Sequence, residues 1–228
     1  SGIYFSFIYV PEGGISAPGR ITAAAAVGVC RALDGLYGIE SGIKWVKDIY
    51  MGGRKVSGIL TEGWAPPPSL SDRPAKPGLP AESSPDAGFA GVQAAVVGIG
   101  INIRAGTKLP PELSEKAGGV ADESERLGCP AGRIASVTRP RLLAACMADI
   151  LRILTGGEDI GTEYASRSIL TGREVTVIPL VGDEASCYPA RVVGIGSGLG
   201  LIVRTRDGTV RELASGEVSL KIAGHSGS

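Results

Sequence analysis

The stretch Gly91–Ile103, GVQAAVVGIGINI, constrains the fold more than any other part of the 228-residue chain. A near-continuous run of alanine, valine and isoleucine bounded by glycine reads as a strand covered on both faces. Burial accounts for the aliphatic residues but leaves Asn102 unexplained, so the strand is expected to emerge at a polar site. Aromatic residues make up only 5% of the chain, so the core packed around that strand must be largely aliphatic. The 35 glycines and 15 prolines call for many turns and close backbone approaches.

Neighbouring segments supply the partners such a strand needs. SGIYFSFIYVPE alternates like a strand already under way, which suggests that something precedes Ser1. ITAAAAVGVCRALDGLYG favours a closely packed helix, with Gly38 placed to end it. IESGIKWVKDIY reads as a short strand entering a loop, and Gly52-Gly53 is a hairpin signal that returns the chain through KVSGILTE. Residues 63–88 are too rich in proline for a sheet interior or a helix and read as an exposed excursion. KLPPELSEKAGGV reads as a loop with a short helical turn. TRPRLLAACMADILRIL then forms a helix that Thr138 can cap and Pro140 can enter. After about Leu170, short strands separated by VGDE, GSGLG and RDG suggest a small barrel or sandwich. The expected division is 1–169 and 170–223.

Charge and composition narrow the function classes. With 23 Lys+Arg against 23 Asp+Glu, no broad field favours nucleic acid or an anionic membrane. No apolar run approaches the roughly 20 residues of a spanning helix, and no leader peptide is read, so a cytoplasmic, reducing setting is expected. Cys30, Cys129, Cys146 and Cys187 form no CxxC pair, and His225 is the sole histidine, so a histidine-based metal or acid–base site is excluded. GIG at Gly98–Gly100 and again at Gly194–Gly196 lacks the spacing and following helix of a dinucleotide site. IGSGLG lacks the Lys-Ser/Thr pair of a phosphate loop. Both read as turns.

The chemistry concentrates in GIKWVKDIYMGGRKVSGILTE, Gly42–Glu62. Lys44, between an apolar strand and a glycine turn, can sit at a pocket mouth and stabilise a carboxylate or phosphate, or it can be one more solvated lysine. Trp45 can brace its aliphatic stem, and Asp48 can orient a polar partner or neutralise a cation. Lys47 and Lys55 read as surface charges that aid solubility or protect a strand edge. Gly58 either admits a ligand against the backbone or marks a bend, with Ser57 and Thr61 supplying hydroxyls.

In order, IKWVKDIYMGGRKVSGILTE, VVGIGINI and GEVSLKI resemble the biotin protein ligase family, also called biotin-acetyl-CoA-carboxylase ligase. The resemblance covers nearly the whole chain apart from the proline-rich segment. It implies an α+β fold: a class II synthetase-like mixed-sheet catalytic domain, incomplete at its N-terminal side, followed by a small SH3-like β-barrel. It implies formation of biotinyl-adenylate from biotin and ATP with Mg2+, then transfer of biotin to a lysine of a biotin carboxyl carrier protein, by a cytoplasmic enzyme that forms a homodimer. Lys44 matches the lysine of the family's KWPND motif and is the implied catalytic contact to biotin and adenylate. The backbone around Ser57, Gly58, Ile59 and Leu60 is implied to run along the biotin pocket, and Asn102 to lie near the adenylate.

Two departures from the family pattern bear on activity. Val46-Lys47 replaces proline and asparagine, which removes a fixed torsion and exchanges a compact amide for a long cation. The family's glycine/arginine-rich loop, which closes over the intermediate and excludes water, has no counterpart in the sequence. A catalytically impaired biotin- or adenylate-binding or protein-interaction fragment is therefore the second reading. In the C-terminal strands, Arg204, Arg206 and Arg211 either meet an acceptor or line a solvated strand edge.

Overall fold

The computed structural model describes residues 1–15, 17–64, 92–105, 116–179 and 187–214, and the backbone of 218–222. Most of the proline-rich segment and the helical turn expected in KLPPELSEK lie outside the described residues. The element order is β1 (Gly2–Tyr9), α1 (Pro18–Tyr37), β2 (Gly42–Lys44), β3 (Asp48–Met51), β4 (Arg54–Trp64) and β5 (Ala94–Asn102). There follow α2 (Val120–Arg126), α3 (Ala131–Ser136), α4 (Arg139–Gly156), α5 (Gly161–Ser166), β6 (Glu174–Pro179), β7 (Tyr188–Ile195), β8 (Leu201–Thr205), β9 (Val210–Leu213) and β10 (Val218–Ile222).

The first five strands form one sheet in the order β1-β5-β4-β3-β2. The aliphatic run at β5 lies inside it, between β1 and β4. Among the described residues every ladder in the sheet is antiparallel, and parallel pairing is confined to two isolated bridges, Ile43–Ser168 and Lys55–Ala117. Gly52 and Gly53, both left-handed at φ 59 and 87, make the two-residue turn between β3 and β4.

One face of this sheet packs on α1. Proline begins that helix, and Gly38 ends it in the left-handed region, its N–H donating to the Asp34 carbonyl at 2.8 Å. Residues Ala23–Cys30 are buried without a break, so α1 is covered by the sheet on one side and by α4 on the other. Small side chains permit the close approach: a Cβ on Gly28 would lie 2.9 Å from the Ile150 backbone nitrogen on α4. Thr138 caps α4 by accepting from the Arg141 N–H, and Gly157 closes it.

The second sheet has the order β10-β6-β7-β8-β9, and all its pairings are antiparallel. Val175, Val177, Ala190, Val192, Leu201, Val203 and Leu213 are buried and alternate with outward residues along their strands, as the barrel expected after Leu170 requires. Among the described residues no helix is long and apolar enough to cross a membrane.

The expectation that both faces of β5 are covered does not hold. Its buried positions alternate with partly open ones, and the second face carries Gly98 and Gly100, whose missing side chains leave the sheet bare. A continuous aliphatic spelling hid a period of two because glycine takes no side in a hydropathy pattern.

Candidate functional site

Partners opposite each other in an antiparallel ladder point to the same face, so the register sorts the signature residues into two rows. Ile43, Ile49, Ser57, Ile101 and Ile3 are successive partners across the five strands, and all are buried. The adjacent row runs Lys44, Asp48, Gly58, Gly100 and Tyr4 and lies on the other face. There Tyr4 is 77% exposed and Leu60 51% exposed.

That second face carries a cleft of about 550 Å³. Its floor is Gly58, Gly98 and Gly100; Tyr4, Ser6 and Leu60 stand along it, and Lys47, Asp48 and Lys55 occupy one end. The glycines keep the floor low. A Cβ on Gly100 would meet the Tyr4 ring at 3.2 Å, and one on Gly58 would meet the Lys55 ammonium at 3.4 Å.

Lys55 Nζ bonds Asp48 Oδ1 at 2.6 Å directly above Gly58, with side chains 41% and 26% exposed. The pair is partly desolvated yet open to a ligand, where a cation acts on an anion more strongly than in bulk water. Its backbone is held on both sides: the Lys55 N–H donates to the Lys116 carbonyl, and the Gly118 N–H donates to the Lys55 carbonyl. Next to it, Arg54 and Arg126 both bond the buried Glu123 carboxylate, which fixes the start of β4. Beside the cleft, burial raises the Tyr50 phenol above its ordinary pKa, with the Asp48 charge adding to the shift.

The structure thus places the expected residues unevenly. Gly58, Ile59 and Leu60 line the cleft. Lys44 is half-buried at the end of β2, in the row of Asp48 and Gly58 but outside the cleft lining. Ser57 is buried in the isoleucine row, outside the cleft lining, with its Oγ enclosed and without a partner among the described residues. Asn102 ends β5 two residues beyond Gly100, about 7 Å along the strand and on the same face. Trp45 is buried, and its indole N–H donates to the Leu199 carbonyl at 3.0 Å.

Sequence reasoning gave Lys55 a surface role and read Gly98–Gly100 as a turn, yet both belong to the cleft. The signal was available in the spacing. Gly98 and Gly100 lie two apart inside a strand and so share a face, and an antiparallel neighbour carrying Gly58 and Leu60 extends that bare face. In the second sheet, Arg206 and Arg211 line a shallow hollow with Tyr188, whose ring lies 5.8 Å from the Arg211 guanidinium carbon, while Arg204 sits exposed on β8.

No protein-family model matches the chain. A bifunctional ligase/repressor, BirA, of Bacillus spizizenii is 30% identical over 125 residues, 54% of this chain and 32% of the relative. BirA of Bacillus subtilis is 30% identical over 118 residues, 51% of the chain and 30% of the relative. The matched region thus spans about a third of each relative's length. Over the whole fold, the apo biotin protein ligase of Aquifex aeolicus superposes with a TM-score of 0.71 at 21% identity, covering 97% of this chain and 83% of that one. The same ligase in complex with biotin and ATP gives 0.64 at 21% identity, with 97% and 79% covered. A biotin protein ligase-like protein of unknown function from Silicibacter gives 0.65 at 15% identity, with 93% and 78% covered. The local sequence match and the shared fold agree: the chain is similar in sequence to part of the BirA ligase/repressors and has the fold of the biotin protein ligases.

Proposed function

We propose that the cleft binds biotin and that the chain's residues serve ATP-dependent formation of biotinyl-adenylate, followed by transfer of biotin to a lysine of a carboxyl carrier domain. The observation that carries this reading is Lys55, held by Asp48 over a glycine floor at one end of a partly apolar cleft. Biotin's apolar body fits along Gly98, Gly100 and Leu60, and its carboxylate meets the ammonium. The carboxylate oxygen attacks the α-phosphorus of ATP, a new C–O–P link forms, and the bond to pyrophosphate breaks. A fixed cation stabilises the negative charge that grows on the phosphoryl oxygens in that step. In the transfer step the acceptor's neutral amine attacks the acyl carbon, AMP leaves and the amine loses its proton.

Within this proposal Lys44 contacts the intermediate from the neighbouring strand, the backbone of Ser57–Leu60 borders biotin, and Asn102 faces the adenylate. The 1–169 and 170–223 division, a homodimer and a cytoplasmic setting belong to the same proposal. The Aquifex ligase bound to biotin and ATP supports the choice of substrates. Among the described residues no three Asp, Glu, His or Cys side chains converge as a cation site, and Asp48 is already paired with Lys55. A magnesium ion carried on the ATP phosphates needs only one or two carboxylates from the protein, and no step is assigned to that ion.

One observation favours the second reading, a protein that binds biotin without activating it: Lys47 lines the cleft where the family motif has asparagine. Calorimetry with biotin, followed by biotin-dependent pyrophosphate release, separates the two readings. Lys55→Met is expected to weaken binding or adenylate formation about 100-fold, the usual cost of removing one preorganised charge-stabilising group. Binding without pyrophosphate release supports the binding protein, and absence of biotin binding by the unaltered chain sinks both.

A further inference from the structure

The GSGLG segment, Gly196–Gly200, joins β7 to β8 as a closed hairpin: the Gly196 N–H donates to the Gly200 carbonyl at 2.8 Å, and the Leu199 N–H to the Gly196 carbonyl at 2.9 Å. Its glycines serve the barrel. The Glu212 side chain from β9 lies against them, and a Cβ on Gly200 would come within 2.6 Å of the Glu212 Cγ. Leu199, at the tip, has φ 65, the one non-glycine residue in the left-handed region among the described residues. Leucine rarely adopts that conformation, so the surrounding contacts must hold it there.

The contact that Leu199 makes is with the other sheet. Its carbonyl accepts the buried Trp45 indole N–H at 3.0 Å. The next two residues of the loop are also held, each by a different element. Tyr164 of α5 donates its hydroxyl to the Val46 carbonyl at 2.8 Å, and the Ile59 N–H of β4 donates to the Lys47 carbonyl at 3.1 Å. Asp48 follows directly and holds Lys55. Both Lys47 and Asp48 line the cleft.

We propose that the Gly196–Gly200 hairpin is a positioning element for the cleft. Through the Trp45–Leu199 hydrogen bond it fixes the loop that presents Lys47 and Asp48, and thereby sets the position of Lys55. The second sheet thus reaches the cleft mechanically, with Trp45 as the positioning residue. The consequence for ligand binding rests on the biotin reading above, but the latch itself does not.

The test compares the full chain with Trp45→Phe, which keeps a buried ring and removes the donor, and with Leu199→Gly, which keeps the acceptor in a conformation glycine readily adopts. Amide hydrogen exchange read residue by residue by NMR, together with the biotin Kd, decides it. In Trp45→Phe the Ile59 amide should exchange about fivefold faster, as loss of one ordinary hydrogen bond implies, and the biotin Kd should rise about fivefold. Amides of α1 should be unchanged, showing that the fold is intact, and Leu199→Gly should match the unaltered chain. Unchanged Ile59 exchange in Trp45→Phe overturns the proposal. So does equal loosening in Leu199→Gly, or a loosened loop with unchanged biotin affinity. If the unaltered chain binds no biotin, the functional reading falls and the exchange comparison alone decides the latch.

Discussion

The two faces of the first sheet are built from the same strands, yet they do different work. On one face Ile3, Ile43, Ile49 and Ile101 form a buried row; one residue along each strand, the other face presents Lys44, Asp48, Gly58, Gly100 and Tyr4. Alternation lets a strand hold the fold together with every second residue and spend the others on a site. The faces should therefore fail differently when altered. Ile49 is fully buried, and Ile49→Ala leaves a cavity at the centre of its row, with an expected loss of about 2–5 kcal/mol of stability. Urea unfolding measures this, and a loss below about 1 kcal/mol would mean that the buried row collapses onto the gap and is not the rigid support that the cleft requires.

The reverse pattern is expected on the open face. Gly58→Val adds a branched side chain to a strand position, where it fits the backbone, but places it beneath the Lys55–Asp48 pair and fills the floor. Biotin affinity should fall at least about tenfold, near 1.4 kcal/mol, while the urea midpoint stays close to that of the unaltered chain. Equal losses of affinity and stability would abolish the division between the faces.

A third test concerns what joins them. α5 carries Tyr164, which anchors the cleft loop, and next to it Glu163, which bonds Arg31 of α1 and Arg167. Burial alone would raise the Glu163 pKa, but the hydrogen bonds to Arg31 and Arg167 outweigh it and hold the carboxyl below the ordinary glutamate value. A lowered folded-state pKa means that the ion pairs contribute their full stability above the ordinary glutamate pKa. That contribution is lost as the pH falls through the lowered value. Glu163→Gln should flatten this acid-side decline in urea stability and leave the neutral-to-alkaline side parallel to the unaltered chain. An unchanged acid slope would remove Glu163 from the account.

Much of the fold was legible because it depends on local rules. Gly38 ending α1, Thr138 capping α4 and Gly52-Gly53 turning the hairpin each follow from one or two residues. The site was only half legible because it depends on register. Lys44 and Lys55 look alike in sequence, and which one stands over Gly58 is set by a β-bulge between Ile49 and Tyr50 that shifts the β3–β4 pairing. Nor could spacing reveal that Trp45 reaches Leu199, a contact 154 residues distant that forms only when the second sheet is in place. Glycine was the most misleading letter: at 98 and 100 it builds a flat floor inside a strand, whereas at 52 and 53 it turns the chain.

Ser57 gives the smallest effect and the finest test of the comparison. By resemblance the backbone around it runs along the biotin pocket, and its register places the side chain among the isoleucines, with a buried hydroxyl that has no partner among the described residues. A buried hydroxyl without a partner costs stability, so Ser57→Ala should leave stability unchanged or raise it by up to about 1 kcal/mol. Biotin affinity should not change, because Ser57 is not among the residues that line the cleft. A weakened Kd with unchanged stability would mean that the hydroxyl reaches the ligand. The two faces would then share a residue that the register assigns to the core.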